Sequence, residues 1–227
     1  MRLGRLAIVL VLAPLAAACG DDSSGSGGAS AASGSSSEAV TASSSTGEPI
    51  DGPAFEIVAL DDVRINSHDD QENFQDAYAE VDFGAGPYQS VKLVVDLSST
   101  CFPFEQWDDN PPPDGQNWPA DCDAFDRNFE MALFDPAFEP GDAAAPPGLE
   151  LVRAITPFGG PLHIEADVTD LLNGKPGAHR FKTHITTYSD GAGIVSGSNG
   201  GWNVSARFEV DPGPMPRPVL ATIPVQL

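Results

Sequence analysis

From Trp202 to Val210 apolar residues occupy every second position, Trp202, Val204, Ala206, Phe208 and Val210, with Asn203, Ser205, Arg207 and Glu209 between them. That pattern belongs to an extended strand with one buried face, because successive Cβ atoms of a strand point to opposite sides of the sheet. Similar runs occur at Phe55 to Leu60, Ala77 to Phe83, Val91 to Leu97, Phe129 to Phe134, Leu149 to Ile155, His179 to Tyr188 and Pro218 to Gln226. Gly and Pro punctuate the gaps, and no segment sustains a helical period; Asp167 to Leu172 is the single candidate helical turn. Many short strands separated by turn signals predict an all-β fold, an antiparallel two-sheet jelly-roll sandwich.

The N-terminal quarter of the chain cannot join that core. Arg2 and Arg5 precede an apolar run from Leu6 to Ala18 that ends in Ala16-Ala17-Ala18-Cys19, the order of a signal peptide. The run is shorter than the roughly 20 apolar residues of a spanning helix, so residues 1–18 read as a cleaved leader. Cys19 has two readings. The small-residue triplet suits ordinary secretory cleavage, whereas a small residue before Cys19 and Gly20 after it resembles a bacterial lipobox, although Leu15 lies four positions before the cysteine rather than the usual three. Lipidation accounts for the odd cysteine, since it leaves Cys101 and Cys122 as a pair. Residues 19–50 then form a Ser/Gly-rich linker that cannot bury a core. Residues 51–227 form the domain, long enough for a single core. The expected partner is a membrane through lipidated Cys19, and the expected location is the cell envelope, on the outer membrane or cell surface.

Charge narrows the partners. With 33 acidic against 11 basic residues the formal charge is −22, and there is no basic stripe to hold phosphates. A nucleic-acid partner is therefore not expected; the acidic surface keeps an exported protein soluble. Cys101 and Cys122 bracket a polar, Pro-rich segment with Asp108, Asp109, Pro111, Pro112, Pro113, Asp114 and Asp121. Such a loop cannot hold itself by apolar burial, and export places the cysteines where disulfides form. A Cys101–Cys122 bridge closing about 20 residues contributes about 3 kcal/mol in the chain-entropy model. His68, His163, His179 and His184 show no ligand spacing, and no His or Met cluster suits copper. Asp69, Asp70, Asp108, Asp109, Asp114, Asp121 and Asp123 are hard oxygen donors of the kind Ca²⁺ takes, but they follow no EF-hand pattern. No metal or other cofactor is expected.

Cys122-Asp123-Ala124-Phe125-Asp126-Arg127 resembles the Cys-Asp-x-aromatic-Asp-Arg motif in the first domain of the peptide-N-glycosidase F family, amidases that remove asparagine-linked glycans. The flanking segments follow the same order: Ala59-Leu60-Asp61-Asp62-Val63, Ala79-Glu80-Val81-Asp82-Phe83 and Val91-Lys92-Leu93 before the motif, then Arg153 to Gly159, Asp167 to Leu172, and Trp202-Asn203-Val204-Ser205. The resemblance implies a jelly roll of the kind that the family pairs with a second one, its active site lying at their junction; the length here suffices for the first. It also implies that Asp126 is the principal catalytic acid and Arg127 its neighbour in the site. A supporting Glu of the family falls where this chain has Thr186, in Ile185-Thr186-Thr187-Tyr188.

Amide hydrolysis needs an activated water and a protonated leaving nitrogen, so one carboxylate is half a mechanism. Asp126 and Arg127 read either as a retained acid–base or ligand contact, or as a structural pair bracing the chain after the disulfide. Phe125, Thr186, Tyr188, Trp107 and Trp118 are the candidate glycan contacts. Trp202 heads an alternating apolar face and reads as core. Trp107 and Trp118 lie in the polar loop, where they serve recognition or pack over the disulfide. The leading expectation is an envelope lipoprotein that binds glycans or glycoproteins. The alternatives are a peptide-N-glycosidase-type amidase acting on asparagine-linked glycans, and a structural or adhesive module.

Overall fold

The computed structural model describes residues 52–119, 122–191, 197–198 and 200–223; the expected leader, Cys19, the linker and Asp121 lie outside the described residues. The strands are β1 (Phe55–Ile65), β2 (Asp76–Asp82), β3 (Tyr88–Ser98), β4 (Asn128–Phe134), β5 (Leu149–Ile155), β6 (Leu162–Asp167), β7 (Ala178–Ile185) and β8 (Trp202–Pro212), with one short helix, α1 (Thr169–Gly174). They form two four-stranded sheets, β1-β8-β3-β6 and β2-β7-β4-β5, in which every neighbouring pair is antiparallel. This strand order is that of a jelly roll, in which hairpin partners are separated by long stretches of sequence.

The period-two pattern becomes the inner faces. Trp202, Val204, Ala206, Phe208 and Val210 of β8 are all buried, as are Phe129, Met131 and Leu133 of β4 and Phe181 and Ile185 of β7. Phe208 links the sheets: its ring meets Phe181 of the facing sheet at 5.8 Å and Phe83 at 4.8 Å, both edge to face, the arrangement that aromatic quadrupoles favour. Among the described residues no helix is long and apolar enough to cross a membrane.

Three expectations change. The segment beginning at Pro218 forms no strand over residues 218–223, and residues 224–226 lie outside the described residues. Pro218 has no ladder donor, and Pro214 and Pro216 lack one in the stretch just before it. Strand β6 is absent from the sequence expectations although Leu162, Ile164 and Ala166 alternate with His163, Glu165 and Asp167; it is a six-residue edge strand whose apolar row is only half-buried against the core. The helical turn starts later than Asp167, at Thr169: the Asp167 carboxylate accepts the Thr169 amide at 3.0 Å and the Thr169 hydroxyl at 2.5 Å, so Asp167 stands outside the helix and holds its first residue.

Candidate functional site

The motif Cys122 to Arg127 leads into β4 at one end of the β2-β7-β4-β5 sheet. Its first anchor is the Cys101–Cys122 disulfide, with Cα atoms 4.5 Å apart. Its second is backbone: the Ala124 amide donates to Gly197 O at 2.7 Å, and the chain at Gly200 crosses so near Cys122 and Asp123 that a Cβ there would come within 2.2 Å of their backbone atoms. Only glycine permits that crossing. The third anchor is Thr156, buried beyond β5, which exchanges hydrogen bonds with the Arg127 backbone at 2.9 Å in both directions.

Held this way, the chain turns Asp123 inward and Asp126 outward. Asp123 is fully buried and takes Arg127 in a fork: Nε donates to both carboxylate oxygens at 3.0 Å and Nη2 donates to Oδ1 at 2.7 Å. The Trp202 indole N–H donates to Asp123 Oδ2 at 3.3 Å, which gives the buried ring its polar partner and confirms Trp202 as core. Burial pushes the Asp123 carboxyl above its ordinary range against the opposing pull of Arg127. Burial also pulls the guanidinium down, but Asp123 and Tyr188 more than reverse this, and Arg127 stays above its ordinary value. The carboxylate that braces Arg127 is thus Asp123. Asp126 is exposed, and no hydrogen bond or ion pair ties it to another described residue.

The guanidinium is also stacked. Its carbon lies 4.3 Å from the Tyr188 ring centroid and 5.0 Å from that of Phe125, both inside cation–π range. Contacts continue from Phe125 to Trp118 at 6.1 Å and from Trp118 to Trp107 at 5.2 Å. Both tryptophans are half-buried and pack with Cys101, Cys122 and Ala124, so the disulfide lies beneath them. Trp107 donates its indole N–H to Phe102 O at 2.7 Å. The structure therefore joins Phe125, Arg127, Tyr188, Trp107 and Trp118 into one connected cluster, with Tyr188, at 47% exposure, presenting a ring to solvent.

Thr186 sits beside the motif on the outer side, its amide donating to Asn128 O at 3.1 Å. Its hydroxyl lies 3.4 Å from His184 Nε2, and His184 Nδ1 lies 2.6 Å from Asp76 Oδ1. An ionised Asp76 can only accept, so Nδ1 carries the proton in the neutral ring and Nε2 is left as an acceptor toward Thr186. Burial would raise the Asp76 carboxyl, but hydrogen bonds from His184 and Lys182 hold it below its ordinary range. Sequence reading missed this dyad because its members are 108 residues apart; the β2–β7 register, which sets Asp76 opposite His184, creates it. Among the described residues no group of three or more His, Cys, Asp or Glu side chains converges as a metal would need.

Fold and site together define an eight-strand jelly roll with a clamped arginine and an exposed aromatic ring at one sheet end. No protein-family model matches the chain, and no curated protein matches it significantly. Among solved structures it is similar to peptide: N-glycanase F (PNGase F), at 18% identity and a TM-score of 0.46 over 73% of this chain and 44% of that one. It is likewise similar to a peptide-N(4)-(N-acetyl-β-D-glucosaminyl) asparagine amidase, at 18% and 0.48 over 72% and 43%. A third is PNGase F, a glycosylasparaginase from Flavobacterium meningosepticum, at 19% and 0.47 over 73% and 44%. The chain spans less than half the length of each.

Proposed function

We propose that this chain is a cell-envelope lipoprotein, exported by residues 1–18 and anchored through Cys19, whose jelly-roll domain binds glycans or glycoproteins at the Arg127–Tyr188 end of the β2-β7-β4-β5 sheet. The observation that carries the reading is the clamp on Arg127. Its guanidinium is fixed by Asp123 and stacked under Tyr188, so the exposed Tyr188 ring is held in place before any ligand arrives. A sugar offers an apolar ring face and a rim of hydroxyls. A preset aromatic face beside exposed Asp126 and Thr186 meets both needs at small ordering cost.

The sequence resemblance places Thr186 where the family has its supporting Glu, which speaks against an amidase centre of the family pattern. One observation favours the hydrolase alternative: the Asp76–His184 dyad presents a ring nitrogen toward Thr186, an acid–base group of another kind. One experiment separates the two. The full chain is incubated with a denatured N-glycoprotein, and both retention and glycan release by mass are measured. Retention without release, weakened by Tyr188→Ala, is the expected result. Release that disappears in Asp126→Asn or His184→Ala would replace the binding reading with a hydrolytic one.

A further inference from the structure

The outer face of the β2-β7-β4-β5 sheet carries a second feature, away from the clamped arginine. A cleft of about 320 Å³ opens between the β4–β5 loop and the outward side chains of β2 and β7, lined by Tyr78, Phe134, Phe138, Glu139, Arg180 and Lys182. A shallower cleft of about 270 Å³ shares Phe134 and Lys182 with it and continues to Glu130 and His184. His184 touches Thr186, which borders the motif. The two clefts thus form one groove along the strands, leading to the site described above. From Phe134 back to Glu130 it follows β4 for about 14 Å at strand rise.

The groove is preformed. Gly148 lets the Phe134 ring lie flat on the chain, where a Cβ would come within 2.6 Å of the ring. The loop wall is tied by its own aspartates: Asp135 accepts the Ala137 amide at 2.9 Å and Asp142 accepts the Ala144 amide at 2.8 Å. Arg180 ties the wall to the sheet by donating to Phe138 O at 2.6 Å.

Its charges are internally matched. Arg180 pairs with Glu80 at 2.7 Å and Glu139 at 3.3 Å, Lys182 with Asp76 at 3.0 Å, and Glu130 with Arg153 at 3.0 Å. The lining carboxylates Asp135, Asp142, Glu139 and Glu130 all have donors already, and both lining cations have carboxylates. A charged ligand would have to break these pairs. An uncharged one with apolar faces and many hydroxyls meets the Tyr78, Phe134 and Phe138 rings and the free edges of the ion pairs without doing so.

We infer that this groove binds the outer part of an extended, neutral oligosaccharide whose inner end lies at Tyr188; the inference rests on the glycan-binding reading of that site. Isothermal titration of the full chain uses two probes: a neutral high-mannose oligosaccharide released with its chitobiose end intact, and free chitobiose. Tyr78→Ala should weaken the long probe about tenfold and leave chitobiose unchanged, whereas Tyr188→Ala should weaken both. Tyr78 is 40% exposed, so an unchanged thermal midpoint will show that the variant is folded. Full affinity of Tyr78→Ala for the long probe would overturn the groove and leave the Tyr188 site standing. Failure of both probes to bind would overturn both. Preference for a glucosamine oligosaccharide cation, or a dimer that Tyr78→Ala dissociates, would assign the groove a different occupant and likewise overturn the inference.

Discussion

Replacing Asp123 by Ala in the full chain should be among the most damaging single changes in the domain, although its neighbour Asp126 is the acid that the motif resemblance marks for chemistry. The Asp123 carboxylate is fully buried and the Arg127 side chain only 7% exposed. Removing the carboxylate leaves a guanidinium without a counter-charge, a change that costs about 3–5 kcal/mol in buried pairs. The Trp202 indole N–H loses its acceptor as well, worth about 1 kcal/mol or more when buried. Part of this overlaps, so about 4 kcal/mol is expected, a large share of the roughly 5–15 kcal/mol that holds a domain folded. At about 2–4 °C per kcal/mol for a domain of this size, the thermal midpoint should fall by about 10 °C. Urea titration of wild type, Asp123→Ala and Asp126→Ala measures the difference, and exposed Asp126 should lie within about 0.5 kcal/mol of wild type. Replacing both partners, Asp123→Leu with Arg127→Met, should recover much of the loss, because the penalty lies in the orphaned charge rather than in the absence of the pair. An Asp123→Ala variant within about 1 kcal/mol of wild type, or an Asp126→Ala variant equally damaged, would refute the assignment of Asp123 as the brace.

Three further outcomes are expected. Cys101→Ser with Cys122→Ser should lower stability by about 3 kcal/mol, and neither thiol of the wild-type chain should take up an alkylating reagent until reductant is added. The chain expressed in a bacterial host should lose residues 1–18 and carry acyl groups on Cys19, so intact mass showing an unmodified Cys19 would remove the lipoprotein reading. The Asp76 carboxyl is held below its ordinary value, so its contribution is fully present above the unfolded carboxyl pKa near about 3.9 and is lost as pH falls through the lower folded value. Asp76→Asn should accordingly be less stable than wild type at pH 7, with the gap narrowing as pH falls below the unfolded carboxyl value of about 3.9, as urea midpoints across that range will show.

Much of the architecture was legible because strand alternation is a local property. A residue at Phe208 or Met131 faces the core for the same reason as its neighbours two positions away, so the buried rows of β4, β7 and β8 could be read without knowing what they pack against. The disulfide was legible from cysteine arithmetic and the composition of the loop it closes. Reading stopped short at β6, a six-residue edge strand whose Leu162, Ile164 and Ala166 row is brief and only half-buried, and it overreached from Pro218, where apolar residues form no strand over residues 218–223.

The site divides along the same line. The motif residues could be named in sequence, but which aspartate faces inward could not, because Cys122 to Arg127 precedes β4 and has no strand parity to assign its sides. That choice falls to contacts from distant segments: Gly197 and Gly200 crossing the motif, Thr156 gripping Arg127, and Trp202 waiting with an indole N–H that needs an acceptor. The Asp76–His184 dyad and the groove beside Tyr78 likewise exist only because β7 lies between β2 and β4. Sequence alone determined that this chain makes a sandwich and where its strands bury their faces. The pairing of polar groups across long separations was decided by tertiary structure, since a charge takes its partner from whatever the fold brings within hydrogen-bond reach.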